Sequence, residues 1–161
     1  EPHRSTFPML RELDPDAILH AGDIGTLEII DSLEAVAPTL AIRGNIDSRF
    51  AETPDMMTIE LVRPESGTVG LRMLLVHWGL GRTRLRSEIK RFTFEQNVQM
   101  VVCGHSHLPF LGMDGEVVVF NPGSHGPRRT GLPITMGLLE VTEKGLDIRH
   151  LDCETGERWL P

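Results

Sequence analysis

The stretch DAILHAGDIGTLEIIDSLEAVAPTLAIRGN, residues 16–45, decides the fold. Asp16-Ala-Ile-Leu-His-Ala-Gly22 is a short apolar run closed by glycine, the pattern of a buried strand ending at a corner. Leu27 to Val36 follows with Leu27, Ile30 and Leu33 at helical spacing, and Thr26 stands where an N-cap belongs. Thr39-Leu-Ala-Ile-Arg-Gly44 then repeats the strand and its glycine corner. Strand, helix and strand in succession predict α/β layering rather than an all-β fold.

The same grammar extends in both directions. Upstream, Phe7, Leu10 and Leu13 fall at helical spacing and suggest a short helix feeding the first strand. Downstream, Leu71-Arg-Met-Leu-Leu-Val-His77 and Met100-Val-Val-Cys-Gly104 read as buried strands. Between them Arg82 to Val98 reads as a helix with Leu85, Ile89 and Phe92 on one face. Residues 48–70, with Pro54, Pro64 and Gly67, read as an irregular connection plus one strand from Met57 to Val62. The last third changes character: Glu116-Val-Val-Val-Phe120, Ile134-Thr-Met-Gly-Leu-Leu-Glu-Val141 and Leu146-Asp-Ile-Arg-His-Leu151 are strands with no helices between them. Glycine turns at Asp114-Gly115 and Lys144-Gly145 join them, so a second, mainly antiparallel sheet packed on the first is expected.

A chain of 161 residues with 40% apolar and 24% charged residues fits one globular domain, taken here as residues 1–161, and excludes disordered and fibrous classes. No stretch approaches the ~20 apolar residues of a membrane span, and residues 1–20 lack the layout of a signal peptide. The net charge is −7, and the basic residues are scattered, which argues against a nucleic-acid surface. An anionic substrate would need a local attractor. Cys103 and Cys153 belong to no C-x-x-C pair, so both are expected as reduced thiols and the protein as cytoplasmic.

Asp23, Asn45, His77, His105 and His107 each fall just past the C-terminal end of an expected strand, the edge at which open α/β sheets bind ligands. Taken singly, each has an ordinary structural reading: a turn-forming Asp or Asn, or a buried histidine bonded to a carbonyl. Taken together they offer carboxylate, amide oxygen and imidazole, a donor set suited to Mn²⁺, Fe, Zn²⁺ or Co²⁺ rather than to the all-oxygen shells of Mg²⁺ and Ca²⁺. His105 and His107, two apart on extended chain, point the same way and suit one metal or two adjacent ones.

AGDIG at 21–25, RGNID at 43–47, LLVHWG at 74–79, CGHSH at 103–107 and FNPGS at 120–124 together resemble the calcineurin-like metallophosphoesterase superfamily, and in particular its small bacterial and archaeal phosphodiesterase branch. The resemblance covers nearly the whole chain. It implies a four-layer αββα sandwich of two mixed sheets flanked by helices. It also implies two divalent transition-metal ions, Mn²⁺ first, with Fe, Zn²⁺, Ni²⁺ or Co²⁺ as alternatives. In that arrangement Asp23 bridges both ions, Asn45, His77 and His105 complete one, and His107 binds the other. The implied activity is hydrolysis of small phosphodiesters or phosphomonoesters by in-line attack of a hydroxide held between the metals, whose charge would also offset the repulsion of a −7 protein for phosphate. Asp23, Asn45 and His105 carry the catalytic roles. Asp47 is expected to orient Asn45 or a ligand histidine by hydrogen bond. Asn45 and Arg128, or its neighbour Arg129, are candidates for substrate phosphate.

Two departures from the family pattern stand out. Larger members carry a histidine directly after G-N, resembling a general acid, and this chain has Ile46 there. His125 and His3 are read as surface histidines rather than as substitutes. The first ligand motif, D-x-H, is absent from residues 1–15. Glu1-Pro2-His3-Arg4 is either a degenerate copy or the tail of D-x-H-x-P-x-R, and the second alignment fits better, with roughly ten more residues expected upstream, an apolar strand of typical length followed by that motif.

The competing reading from a different class is a metal-poor protein-interaction scaffold of the same fold, resembling a subunit of membrane-sorting coats. Retention of five ligand-type residues argues against it. A serine hydrolase on Ser106 or Ser124 lacks the second glycine of a nucleophile elbow, and no P-loop or dinucleotide fingerprint occurs. The expected partner is therefore a small phosphate ester, with a homo-oligomer left open.

Overall fold

The structure, a computed structural model, describes residues 1–129, 131–142 and 145–160. Its elements run α1 (Thr6–Leu13), β1 (Ile18–His20), α2 (Leu27–Glu34), β2 (Thr39–Ala41), β3 (Met56–Val62), β4 (Val69–Val76), α3 (Ser87–Glu95), β5 (Met100–Cys103), β6 (Pro109–Asp114), β7 (Val117–Pro122), β8 (Thr135–Thr142), β9 (Gly145–Asp152) and β10 (Arg158–Trp159). The expected turn residue Lys144 lies outside the described residues.

A five-stranded mixed sheet in the order β3-β4-β5-β7-β6 occupies the centre. Its inner strands pair in parallel, β4 with β5 and β5 with β7, and both edges are antiparallel. The middle of this sheet reads as unbroken apolar sequence because both of its faces are covered. On one face Leu74, Val76, Val101, Cys103 and Val119 pack with Leu80, Leu85, Ile89 and Val98, which places α3 there. On the other, Met73, Leu75, Met100, Val102 and Phe120 meet Leu19, Ala21 and Ile42 at one end and Leu139 and Ile148 at the other. Met9, Leu10 and Leu13 of α1 cover the outer side of β8 and β9 through Ile134, Met136, Leu151 and Cys153. α2 packs beside β2 with Leu33 buried. Helix, sheet, sheet and helix follow one another, so the fold is the expected α/β four-layer sandwich.

The second sheet layer differs from the expectation in its composition. It consists of two pieces, a parallel pair β1-β2 and an antiparallel trio β10-β9-β8. The run Glu116 to Phe120 does not join it: β7 pairs in parallel with β5 and carries β6 with it into the central sheet. Apolar runs report burial and not the identity of the neighbouring strand, so the sequence offers no means of assigning β7 to one sheet or the other. β6 itself was signalled only by its closing turn. The helix expected over Arg82 to Val98 contracts to Ser87–Glu95. Leu85 instead forms a bridge with Leu80, and its N–H donates to the buried carboxylate of Asp114, which Lys90 neutralises at 2.7 Å. Thr26 occupies the N-cap position of α2 but makes no side-chain cap bond.

Candidate metal centre

All five ligand-type residues follow strand ends. Asp23 lies past β1, Asn45 past β2, His77 directly after β4, and His105 and His107 past β5. The two sheet layers thereby contribute from opposite sides of one crevice. The corners must be tight, and glycine makes them so. A Cβ on Gly44 would stand 2.2 Å from the Asp23 amide nitrogen, and one on Gly22, whose φ is +90°, would stand 2.6 Å from His77 Nδ1. Asp23, His105 and His107 adopt positive φ of 60°, 67° and 60°. Such backbone strain in non-glycine residues clusters at functional sites, and here three of the five candidates carry it.

Asn45 Oδ1 lies 2.8 Å from His105 Nδ1 and 3.0 Å from His77 Nε2. Asp23 divides its carboxylate: Oδ1 is 3.5 Å from His77 Nε2, and Oδ2 is 3.9 Å from His107 Nε2. The Ile46 N–H donates to Oδ1 at 3.4 Å. His77 Nδ1 donates to the Ala21 carbonyl at 2.6 Å, which in the neutral ring leaves a lone pair on Nε2 facing the crevice. That lone pair confronts an amide oxygen and a carboxylate oxygen. Acceptor facing acceptor is repulsive unless a cation or a proton lies among them. Donors held about 2.1 Å from a shared ion stand roughly 3.0–3.4 Å apart, close to the spacings seen here. The residues therefore fit a divalent ion, although among the described residues no group of three or more His, Cys, Asp or Glu side chains is already arranged to hold one. Asn45 supplies the contact that draws the others together. Partial desolvation and the neighbouring His77 hold His105 below the ordinary imidazole range, and partial desolvation and Arg129 do the same for His107. Both rings are thus biased toward the neutral form that ligates.

Asp47 has a different role from the one expected. Its carboxylate is fully buried and accepts from the backbone N–H groups of Gly44 at 2.8 Å, Ile24 at 2.9 Å and Gly25 at 3.0 Å. It fastens the Asp23 corner to the Asn45 corner through their backbones, and its recorded bonds go neither to the Asn45 side chain nor to a histidine. Burial opposes its charge, and the backbone donors outweigh burial and hold the carboxyl below its usual range. Asn121 does the corresponding work for the histidine corner. Fully buried at the end of β7, it donates to the Gly104 carbonyl at 2.7 Å and to Ser106 Oγ at 3.1 Å, while its oxygen accepts from the Gly123 N–H. The sequence singled out no role for it, although an asparagine closing the apolar run 117–120 was the available signal.

Two further expectations change. Arg128 pairs with Glu154 instead of reaching toward the crevice, whereas Arg129 lies near enough to His107 to bias its titration. His125 is not a surface histidine. Its ring packs edge-on to His20 with centroids 5.9 Å apart, the Nδ1 of each is buried with no hydrogen-bond partner among the described residues, and burial together with His20 pushes its pKa down to about 4. His3 turns its Nδ1 to Ser5 Oγ at 2.7 Å. Both cysteines are free and buried, and burial pushes the Cys103 thiol up to about 12.

A sandwich of this kind with carboxylate, amide and imidazole donors at its strand ends defines a metallophosphoesterase. The chain belongs to the calcineurin-like phosphoesterase superfamily, whose domain model matches residues 2–144. A probable metallophosphoesterase of Methanothermobacter thermautotrophicus is 31% identical over 135 residues, 83% of this chain and 74% of that protein. Among solved structures, an archaeal phosphodiesterase is similar at a TM-score of 0.65 and 23% identity, covering 90% of this chain and 92% of that one. The Zn²⁺ complex of Vps29 from Entamoeba histolytica is similar at a TM-score of 0.75 and 19% identity, covering 99% and 91%. Membership implies divalent metal ions and phosphate-ester chemistry. Among the described residues no helix is long and apolar enough to cross a membrane.

Proposed function

We propose that this chain is a phosphodiesterase of small phosphate esters that works with two divalent transition-metal ions, Mn²⁺ first among Mn²⁺, Fe, Zn²⁺, Ni²⁺ and Co²⁺. The observation that carries the reading is the divided carboxylate of Asp23, with one oxygen toward His77 and the other toward His107. A carboxylate so placed can serve two ions at once. Asn45, His77 and His105 would complete the ion on the Oδ1 side, and His107 would hold the one on the Oδ2 side. When bound, the two ions lower the pKa of a water to near neutrality and attract the phosphate oxygens that a −7 protein would otherwise repel.

The chain's own groups do the rest. Asp47 and Asn121 fix the corners, so that the donors need little reorganisation when an ion arrives. His77 presents Nε2 because Ala21 holds its Nδ1 proton. Asn45, at the junction of two imidazoles, is placed to donate its amide hydrogens to a phosphate oxygen once its own oxygen is engaged. Ile46, 59% exposed beside it, offers no proton to the leaving group, so departure depends on the leaving group's own acidity. The likeness to Vps29 shows the fold alone and gives the scaffold reading no support of its own.

The test is hydrolysis of bis(4-nitrophenyl) phosphate by chelator-stripped protein with and without Mn²⁺. Activity should appear only with the metal and vanish on renewed chelation. Full turnover in excess chelator refutes the reading.

A further inference from the structure

Trp78 directly follows His77 and is half exposed, at 49%. A large aromatic ring left in water at the lip of a polar crevice needs a reason, and its contacts supply one. The indole lies 4.9 Å from the His105 ring, centroid to centroid and tilted by 30°, and the Arg86 guanidinium carbon stands 3.9 Å above the indole. Arg86 is itself held by Glu88 at 2.5 Å. These contacts link an ion pair, an indole and an imidazole in series.

His105 is the ligand-type histidine most in need of such support. It is exposed, it sits on backbone at φ 67°, and its single polar side-chain contact among the described residues is Nδ1 to Asn45 at 2.8 Å. The edge of His77 meets its ring at 5.3 Å and 83°, which blocks rotation on one side. The tilted face of Trp78 limits it further. An imidazole free to turn about two side-chain torsions must be ordered each time it binds an ion, and a ring already packed in place is spared that entropy. The cation on Trp78 in turn holds the indole by cation–π attraction.

We propose that Trp78, braced by Arg86, is the positioning residue that sets the orientation of His105 and so the metal affinity of the Asn45–His77–His105 cluster. The inference rests on the metal-centre reading above and adds to it a determinant that is no ligand.

The experiment uses the full chain, stripped by chelator and titrated with Mn²⁺ in a calorimeter, for wild type, Trp78→Ala, Trp78→Phe and Arg86→Ala. Outer partners that orient ligands typically change metal affinity by about 10–100-fold, and Trp78→Ala should weaken binding by an amount in that range. Trp78→Phe, which keeps an aromatic face, should recover most of it, and Arg86→Ala should show a smaller loss. In the metal-free protein the His105 ring resonances of Trp78→Ala should show averaging between rotamers that the wild type does not show. If wild type binds no divalent ion, the metal-centre reading fails and the inference falls with it. If wild type binds and Trp78→Ala binds as tightly, only the positioning role is overturned. Should Trp78→Ala lose its circular dichroism, Arg86→Ala decides, and unchanged affinity there overturns the proposal.

Discussion

Replacing Asp47 by asparagine or alanine should destabilise the protein and loosen the metal centre together. The carboxylate is fully buried and accepts three backbone N–H bonds of 2.8–3.0 Å, from Gly44, Ile24 and Gly25. Hydrogen bonds to a charged group contribute about 1.5–3 kcal/mol each, and they are not additive around one acceptor. Alanine leaves one buried and two partly buried backbone donors without their charged acceptor, and a loss of about 3–5 kcal/mol is expected from three such bonds that are not additive. Asparagine keeps one oxygen and turns an NH₂ toward a donor, so about 2 kcal/mol is expected for it. For a chain of 161 residues the alanine loss corresponds to a Tm lower by roughly 10 °C. Urea unfolding of the metal-free protein measures the effect without the stabilisation that bound ions would add. The pH dependence provides an internal control. The folded-state pKa of Asp47 lies below its usual value of 3.8, so its contribution is complete above that pH and disappears as pH falls through the lowered value. The gap between wild type and Asp47→Asn should therefore narrow in strong acid. A change under 0.5 kcal/mol at neutral pH, with Mn²⁺ affinity intact, would mean that the two corners hold without the clamp.

Acid should also act through His125, whose folded pKa of about 4 lies below the ordinary 6.5. The unfolded chain binds that proton first, so stability is complete above pH 6.5 and falls between there and pH 4, by roughly 3 kcal/mol in all, and His125→Leu should flatten the slope seen in urea titrations. Asp23→Ala should lose more hydrolytic activity than Asn45→Ala, because one carboxylate faces both histidine sides and one amide oxygen faces a single side. Near-full turnover by Asp23→Ala in Mn²⁺ would refute the bridging role. With Ile46 at the crevice, aryl diesters should be cleaved much faster than alkyl diesters, and a flat dependence on leaving-group pKa, with chemistry rate-limiting, would reveal another proton donor. Arg128→Ala should leave KM nearly unchanged, since its guanidinium is committed to Glu154; a large rise would restore it as a phosphate contact.

The layering was legible because it depends on local signals. Apolar runs over residues 16–22, 39–44, 71–77 and 100–104 end in glycine or a polar residue, and amphipathic stretches separate them; each holds a strand, although β1 and β2 are short and half-buried where β5 is fully buried. The five ligand-type residues were legible for the same reason: a polar residue after such a corner can only project from the sheet edge. Partner choice was not. Whether β7 lies beside β5 or beside β8 depends on a crossover that leaves no trace in an apolar run. Asp47 was recognised as a supporting carboxylate, yet its acceptors are shared with three backbone amides that only the folded corners bring together. Asn121 stands in the FNPGS stretch that carries the resemblance, but nothing in that motif shows that its amide ties the Gly104 carbonyl to Ser106. His125 was misjudged because its loop folds back onto His20, a packing event that no periodicity reports.

The division of the second layer has a consequence for how the protein opens. Asp23 and Asn45 stand on the three-residue pair β1-β2, fastened to each other by Asp47, whereas His77, His105 and His107 follow strands of the large central sheet. Short strands with few ladder bonds belong to the low-stability end of a protein's cooperative units. The pair is therefore expected to open before the central sheet, with amide exchange at Leu19 and Leu40 running ahead of exchange at Leu75 and Val102; equal protection would refute this. An ion held between Asp23, Asn45 and the histidines crosses that seam. On the proposed reading, loading the centre would raise the opening energy of the weaker unit toward that of the stronger one, so the contacts that would serve catalysis would also set the folding cooperativity of the sandwich.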